Sequence, residues 1–130
     1  MAKKSNFAYP DEGDILQLRK AFKLTSDGYL SKGSLLYIIE TVRDLYNEYD
    51  SAEALVAKAA PILFNIVASH PFIDGNKRTA FGTADLFLRL NGYFIKVDPE
   101  EGQIFIVQIA NEKAVEDNVR RWIRQHLKKL

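Results

Sequence analysis

Cysteine is absent from this 130-residue chain, which excludes disulfides, thiolate catalysis and Cys-ligated zinc, and agrees with a reducing compartment such as the cytosol. Histidine occurs only at His70 and His126, too few for a metal centre built on several imidazoles. Neither sign of charge dominates: 18 Lys and Arg stand against 17 Asp and Glu, so no nucleic acid or acidic membrane surface is expected as a partner. Only the end is biased. Acidic residues are missing from Asn118 onward, where Arg120, Arg121, Arg124, Lys128 and Lys129 fall, as on the solvated face of a last amphipathic helix. No window approaches eighteen uninterrupted apolar residues, and no apolar stretch follows the two lysines of "MAKKSNFAYP". A soluble cytoplasmic protein is expected. Repeats, low-complexity segments and dividing linkers are absent too, so residues 1–130 are expected to form one domain with one core.

What is present is helical periodicity. Ile15, Leu18 and Phe22 predict a helix over Asp14 to Leu24, and "TSDGYLSKGS" then interrupts with turn formers. Ser34 is a plausible cap for a helix lined by Leu35, Ile38, Ile39, Val42, Leu45 and Tyr46. Asp50 with Glu53 reads as a capping box for a stripe of Leu55, Val56, Ala59, Ile62, Leu63, Ile66 and Val67, which Pro61 is expected to kink or restart. Ala80, Ala84, Phe87 and Leu88 mark another helix, stopped by Asn91-Gly92. "YFIKV" suits a short extended segment, and Asp98-Pro99 with Glu101 opens a helix through Ile104 and Val107. Val115, Val119, Trp122, Ile123 and Leu127 form the last stripe. A mostly α domain of about six helices is expected.

Between two of these helices lies "SHPFIDGNKRTAF", residues 69 to 81. Pro71 cannot continue the preceding helix and disfavours α geometry at His70, so the imidazole should leave the helix end. Phe72 is most simply a peg into the core that fixes the loop. Gly75 lets backbone amides approach a ligand closely, and Asn76 offers an amide beside it. The helix start that follows presents free N–H groups and a positive dipole end, and Lys77 and Arg78 add two cations there, which suits phosphate. Asp74 is a hard oxygen ligand next to that anion site, where one carboxylate plus substrate phosphates can hold magnesium. The imidazole of His70 can accept a proton from an attacking hydroxyl. Each residue also has a plain structural use as a cap, a turn or a solvated charge. Cations at a helix start work against its dipole, however, which hints at a ligand.

His70, Phe72, Asp74, Gly75, Asn76, Lys77 and Arg78 reproduce the pattern H-x-F-x-[D/E]-G-N-x-R, and in this the chain resembles the Fic (filamentation induced by cAMP) and Doc (death on curing) family. "TAFGTADLFLRLNGY" resembles the helix after the motif in the Doc branch, so the likeness covers about residues 57 to 93. It implies the compact helical Fic fold and transfer of part of a nucleotide to a protein hydroxyl. By position, His70 is similar to the family's general base, Asp74 to its magnesium ligand, Gly75 and Asn76 to its anion hole, and Arg78 to its phosphate clamp. Lys77 stands where AMP-transferring members carry glycine, and Phe81 where they carry a second arginine. Both departures match the Doc branch, in which ATP is thought to bind in a reversed sense. The resemblance therefore implies ATP and Mg2+ as cofactors and transfer of the γ-phosphate to a hydroxyl of a target protein, possibilities among which the translation machinery is suggested by analogy. Adenylyl transfer (AMPylation) and a non-catalytic nucleotide-binding module are the alternatives.

The family also places a β-hairpin flap before the motif, for which residues 26–34 are the candidate, an interhelical turn being the other reading of the same segment. Many members are silenced by a helix bearing [S/T]-x-x-x-E-[G/N]. The nearest approach is "AYPDEG", Ala8 to Gly13, which lacks the hydroxyl residue. The resemblance thus implies a toxin held by an antitoxin partner in trans. An HD-type metal phosphohydrolase is excluded by the two histidines and the absence of any His-Asp dipeptide.

Overall fold

A capping box starts the first helix. In the computed structural model, which describes residues 7–130, the Asp11 carboxylate accepts the Asp14 N–H at 2.8 Å and Asp14 returns the bond to the Asp11 N–H at 2.9 Å. The resulting helix, α1 (Glu12–Arg19), is shorter than its periodicity suggests. The N–H groups of Lys20, Ala21 and Phe22 turn to carbonyls three residues back, tightening the chain, and Phe22 leaves the helix axis. The reading of the first residues as free of an export leader falls largely on residues 1–6, outside the described residues.

Helix α2 (Lys32–Val42) is capped by Ser31, whose hydroxyl accepts the Ser34 N–H at 3.2 Å, three residues earlier than expected. It stops at Val42 because the Lys58 ammonium closes its C-terminal end. That ammonium donates to the Val42 carbonyl at 2.7 Å, and to those of Leu45 and Arg43. Helix α3 (Ser51–Ser69) runs through Pro61 without a break, losing one backbone bond. Burial on nearly every side holds it together: Leu55, Ile62, Leu63, Ile66 and Val67 are all core residues. Its length and composition would suffice to cross a membrane, but 67% of that window is buried inside the protein, as in a central core helix. Asp50 occupies the cap position without a side-chain bond, and Glu53 pairs instead with Arg124.

Helix α4 (Asn76–Leu90) packs on α3 through Ala80, Ala84, Phe87 and Leu88. Strand β1 (Tyr93–Ile95) pairs antiparallel with β2 (Leu127–Lys129), Ile95 opposite Leu127, so the chain's last stripe ends as strand and not as helix. Between them lie α5 (Pro99–Ala110) and α6 (Glu116–His126). Phe105 of α5 stacks on Trp122 of α6 at 4.4 Å, and the His126 ring bonds Glu101 at 3.1 Å, which fixes α5 as a wall beside α4. The fold is thus mostly α, with six helices among the described residues and one small antiparallel sheet. That sheet is not made by residues 26–34. Gly28 to Ser31 lie extended along Pro71 to Ile73 instead, with an isolated bridge between Tyr29 and Phe72 and bonds from Leu30 N–H and Ser31 N–H to the Pro71 carbonyl. The motif loop supplies the pairing partner that a hairpin would have found within itself.

Candidate active site

Helix α3 ends at His70 in the left-handed region (φ 49°, ψ 60°). Pro71 disfavours the right-handed alternative, and histidine is one of the few residues besides glycine enriched in the left-handed region. The imidazole is exposed, with Nδ1 3.3 Å from the Ala68 carbonyl. A proton on Nδ1 leaves the Nε2 lone pair free to accept one from solution or substrate.

Phe72 is fully buried and gripped from both sides. The Arg19 guanidinium lies 3.6 Å from its ring centroid and the Tyr29 ring stacks at 4.8 Å; two groups so close must take opposite faces. Its backbone is held as firmly. The Asn76 amide accepts the Phe72 N–H at 2.9 Å and donates to the Phe72 carbonyl at 2.8 Å. The Asn76 side chain therefore closes the loop, and what it leaves for a ligand is its backbone N–H.

Gly75, at φ +78°, begins α4. The positive φ favours glycine, and a Cβ here would also meet a Leu24 methyl at 2.5 Å and Arg19 Nη1 at 3.2 Å, so those side-chain ends would have to shift. The first intrahelical bond runs from Thr79 N–H to the Gly75 carbonyl at 2.9 Å, and the amides of Asn76, Lys77 and Arg78 precede it. Lys77 is exposed, and its ammonium meets no partner among the described residues. Arg78 donates to the Lys23 carbonyl at 3.2 Å and lies over Phe22 at 5.3 Å, which aims its fork without neutralising it.

The Asp74 Oδ2 accepts the Thr25 N–H at 2.7 Å and the Thr25 hydroxyl at 3.0 Å. These two bonds, first the backbone one, hold the carboxyl below its usual range, with smaller help from the Gly75 N–H and the Arg78 charge. The group is an ionised carboxylate at neutral pH, and neither Thr25 bond uses Oδ1. Among the described residues no three His, Asp or Glu gather into a metal cage. A magnesium ion held by one carboxylate and by phosphate oxygens nevertheless fits this donor set.

Arg19, which the helical pattern presents only as a cation suited to the end of α1, is 2% exposed and sits directly behind the loop. Its Nη1 donates to the Asp74 carbonyl at 2.9 Å and to the Thr79 hydroxyl at 2.8 Å, while Thr79 passes its own proton to the Gly75 carbonyl at 2.7 Å. Nε and Nη2 have no partner. Burial pulls the Arg19 pKa down and the Asp74 charge opposes it. No local signal marks the residue, because its contacts lie more than fifty positions away.

These groups line one end of a cleft of about 890 Å³, where His70, Asp74, Lys77 and Arg78 converge on the start of α4. The cleft continues between α4 and α5, where Phe81, Ile95, Val97, Ile106 and Val107 line it together with the polar Asp85, Arg89 and Gln103.

The family model of the Fic/DOC family matches residues 8–88, which takes in α1 to α3, the whole motif loop and most of α4. A curated relative, Toxin Doc of Mycolicibacterium smegmatis, is 41% identical over 49 residues, 38% of this chain and 38% of that protein. The aligned stretch thus spans under two fifths of the relative's length.

Proposed function

The chain belongs to the Fic/DOC family, and from this premise we propose that it is a Doc-like toxin enzyme that transfers the γ-phosphate of ATP to a hydroxyl of a target protein in the cytoplasm. The observation that carries the reading is the convergence of His70, Asp74 and Arg78 on the open start of α4, at one end of a nucleotide-sized cleft. The γ-phosphate takes the amides of Asn76, Lys77 and Arg78, with the Arg78 fork on its oxygens. The target hydroxyl oxygen forms the new bond to the γ-phosphorus and gives its proton to His70 Nε2. The bond to the β-γ bridging oxygen breaks, and ADP leaves. Bound magnesium, on Asp74 and the phosphate oxygens, would supply charge neutralisation. Lys77 favours this orientation of ATP: its side chain narrows the anion site and brings an uncommitted positive charge where the terminal phosphate carries the most negative charge.

An antitoxin acting in trans accords with Ala8 to Gly13. Glu12, the glutamate of that stretch, is spent on the Tyr29 hydroxyl at 2.6 Å and on Lys32 at 3.4 Å, so it is not an arm free to block ATP. In a cell extract with ATP and Mg2+, a protein target is expected to acquire label from γ-labelled but not α-labelled ATP, and His70→Ala to abolish it. Label from the α position would replace this reading with adenylyl transfer. No label from either would leave a nucleotide-binding module.

A further inference from the structure

Four consecutive residues of the α1–α2 connector each touch one member of the site. Phe22 lies under Arg78, the Lys23 carbonyl accepts from Arg78, the Leu24 methyl fills the space beneath Gly75, and Thr25 binds Asp74 twice. The last contact does something that the others do not. The terminal torsion of an aspartate is broad and two-fold, so a partly exposed carboxylate has no preferred oxygen to offer a cation. Both Thr25 donors converge on Oδ2 and neither uses Oδ1, so the carboxylate plane is held from one oxygen.

Resting on the phosphotransfer reading above, we propose that Thr25 is the positioning residue of the magnesium site, pinning Asp74 through Oδ2 so that Oδ1 is presented to a cation that phosphate oxygens complete. A hydrogen-bonded outer oxygen is how proteins orient a carboxylate ligand, and losing such a partner costs roughly 10- to 100-fold in metal affinity. Thr25 retains its backbone N–H in any variant, so the lower end of that range applies.

The test is calorimetry of the full chain with AMP-PNP, once with Mg2+ and once with EDTA. The ratio of the two affinities is magnesium's own contribution, a readout that needs no turnover. Thr25→Val is expected to lose about tenfold of that ratio while its affinity in EDTA stays at the wild-type value, and Thr25→Ser, which restores the hydroxyl, is expected to recover it. An unchanged ratio in Thr25→Val overturns the assignment. So does an equal fall in both affinities, which would mean a general loss of site structure. A lost ratio in Thr25→Val beside a wild-type protein that labels no target would uphold Thr25 and reject phosphotransfer. Label transfer by a wild-type protein with no magnesium-dependent gain would reject Thr25 alone.

Discussion

Among the described residues two cations are buried, and they are treated in opposite ways. Lys58 is fully buried at the junction of α2 and α3 and donates to three carbonyls, so its compact ammonium has its proton donors occupied. It also lies near the rings of Phe7 and Tyr9. Arg19 is almost as buried, yet it leaves two donor atoms unpaired beneath the motif loop. An unpaired buried donor costs about 1 to 3 kcal/mol, which a purely architectural residue would avoid. The satisfied cation closes a helix. The unsatisfied one holds a loop whose geometry matters more than its own comfort, fixing the Phe72 ring, the Asp74 carbonyl and the Thr79 hydroxyl at once.

The contrast breaks most visibly at Lys58. Lys58→Met strips three carbonyls of their donor at the end of α2 and is expected to lower stability by about 3 kcal/mol or more, read from the urea midpoint at constant slope. Arg19→Met should behave differently: loss of two good bonds is offset by removal of two unpaired donors, leaving stability within about 1 kcal/mol of wild type. Label transfer should still fall about tenfold as the loop loosens, the loss that about 1.4 kcal/mol of transition-state stabilisation represents. If Arg19→Met unfolds as readily as Lys58→Met, the distinction between the two cations is wrong.

The smallest effect sharpens the picture from the other face of Phe72. Burial, and the hydrogen bond to Glu12, push Tyr29 up from 10.0 to about 12. Between those values the unfolded chain releases a proton that the native state keeps, so Tyr29's contribution is whole below pH 10 and is lost as pH rises toward about 12. Tyr29→Phe is expected to cost about 1 kcal/mol at neutral pH. It should also flatten that alkaline decline, compared in urea titrations on both sides of the window.

What could be read along the chain was whatever depends on near neighbours. The spacing of His70, Phe72, Asp74, Gly75, Asn76 and Arg78 is local, and so are the apolar stripes of the helices and the Asp98-Pro99 start of α5. What escaped depends on distant partners. Lys58 stands within an apolar stripe and gives no hint of the carbonyls it will meet, and Arg19 looks like an ordinary end to an amphipathic turn. Leu127 continues a helical pattern but becomes strand because Ile95 waits opposite. Pro61 signals a kink or a restart, and the helix does not restart there because burial along α3 outweighs one missing bond. Residues 26–34 carry turn signals either way, and only their pairing with the distant Pro71 carbonyl and Ile73 N–H decides how they lie.

The bonds that frame the loop bear on the timing of biosynthesis. Arg19 to Thr79, Arg78 to Lys23 and Thr25 to Asp74 join residues 60, 55 and 49 positions apart. Closing such spans costs chain entropy before any of the bonds can repay it, so they form together with the packing of α3 and α4 and not ahead of it. A nascent chain that has just emerged past Arg78 carries every reactive side chain of the motif but none of the frame that aims them. The frame is complete only once α3 and α4 have packed, so under the proposed phosphotransfer the site would become competent late in folding.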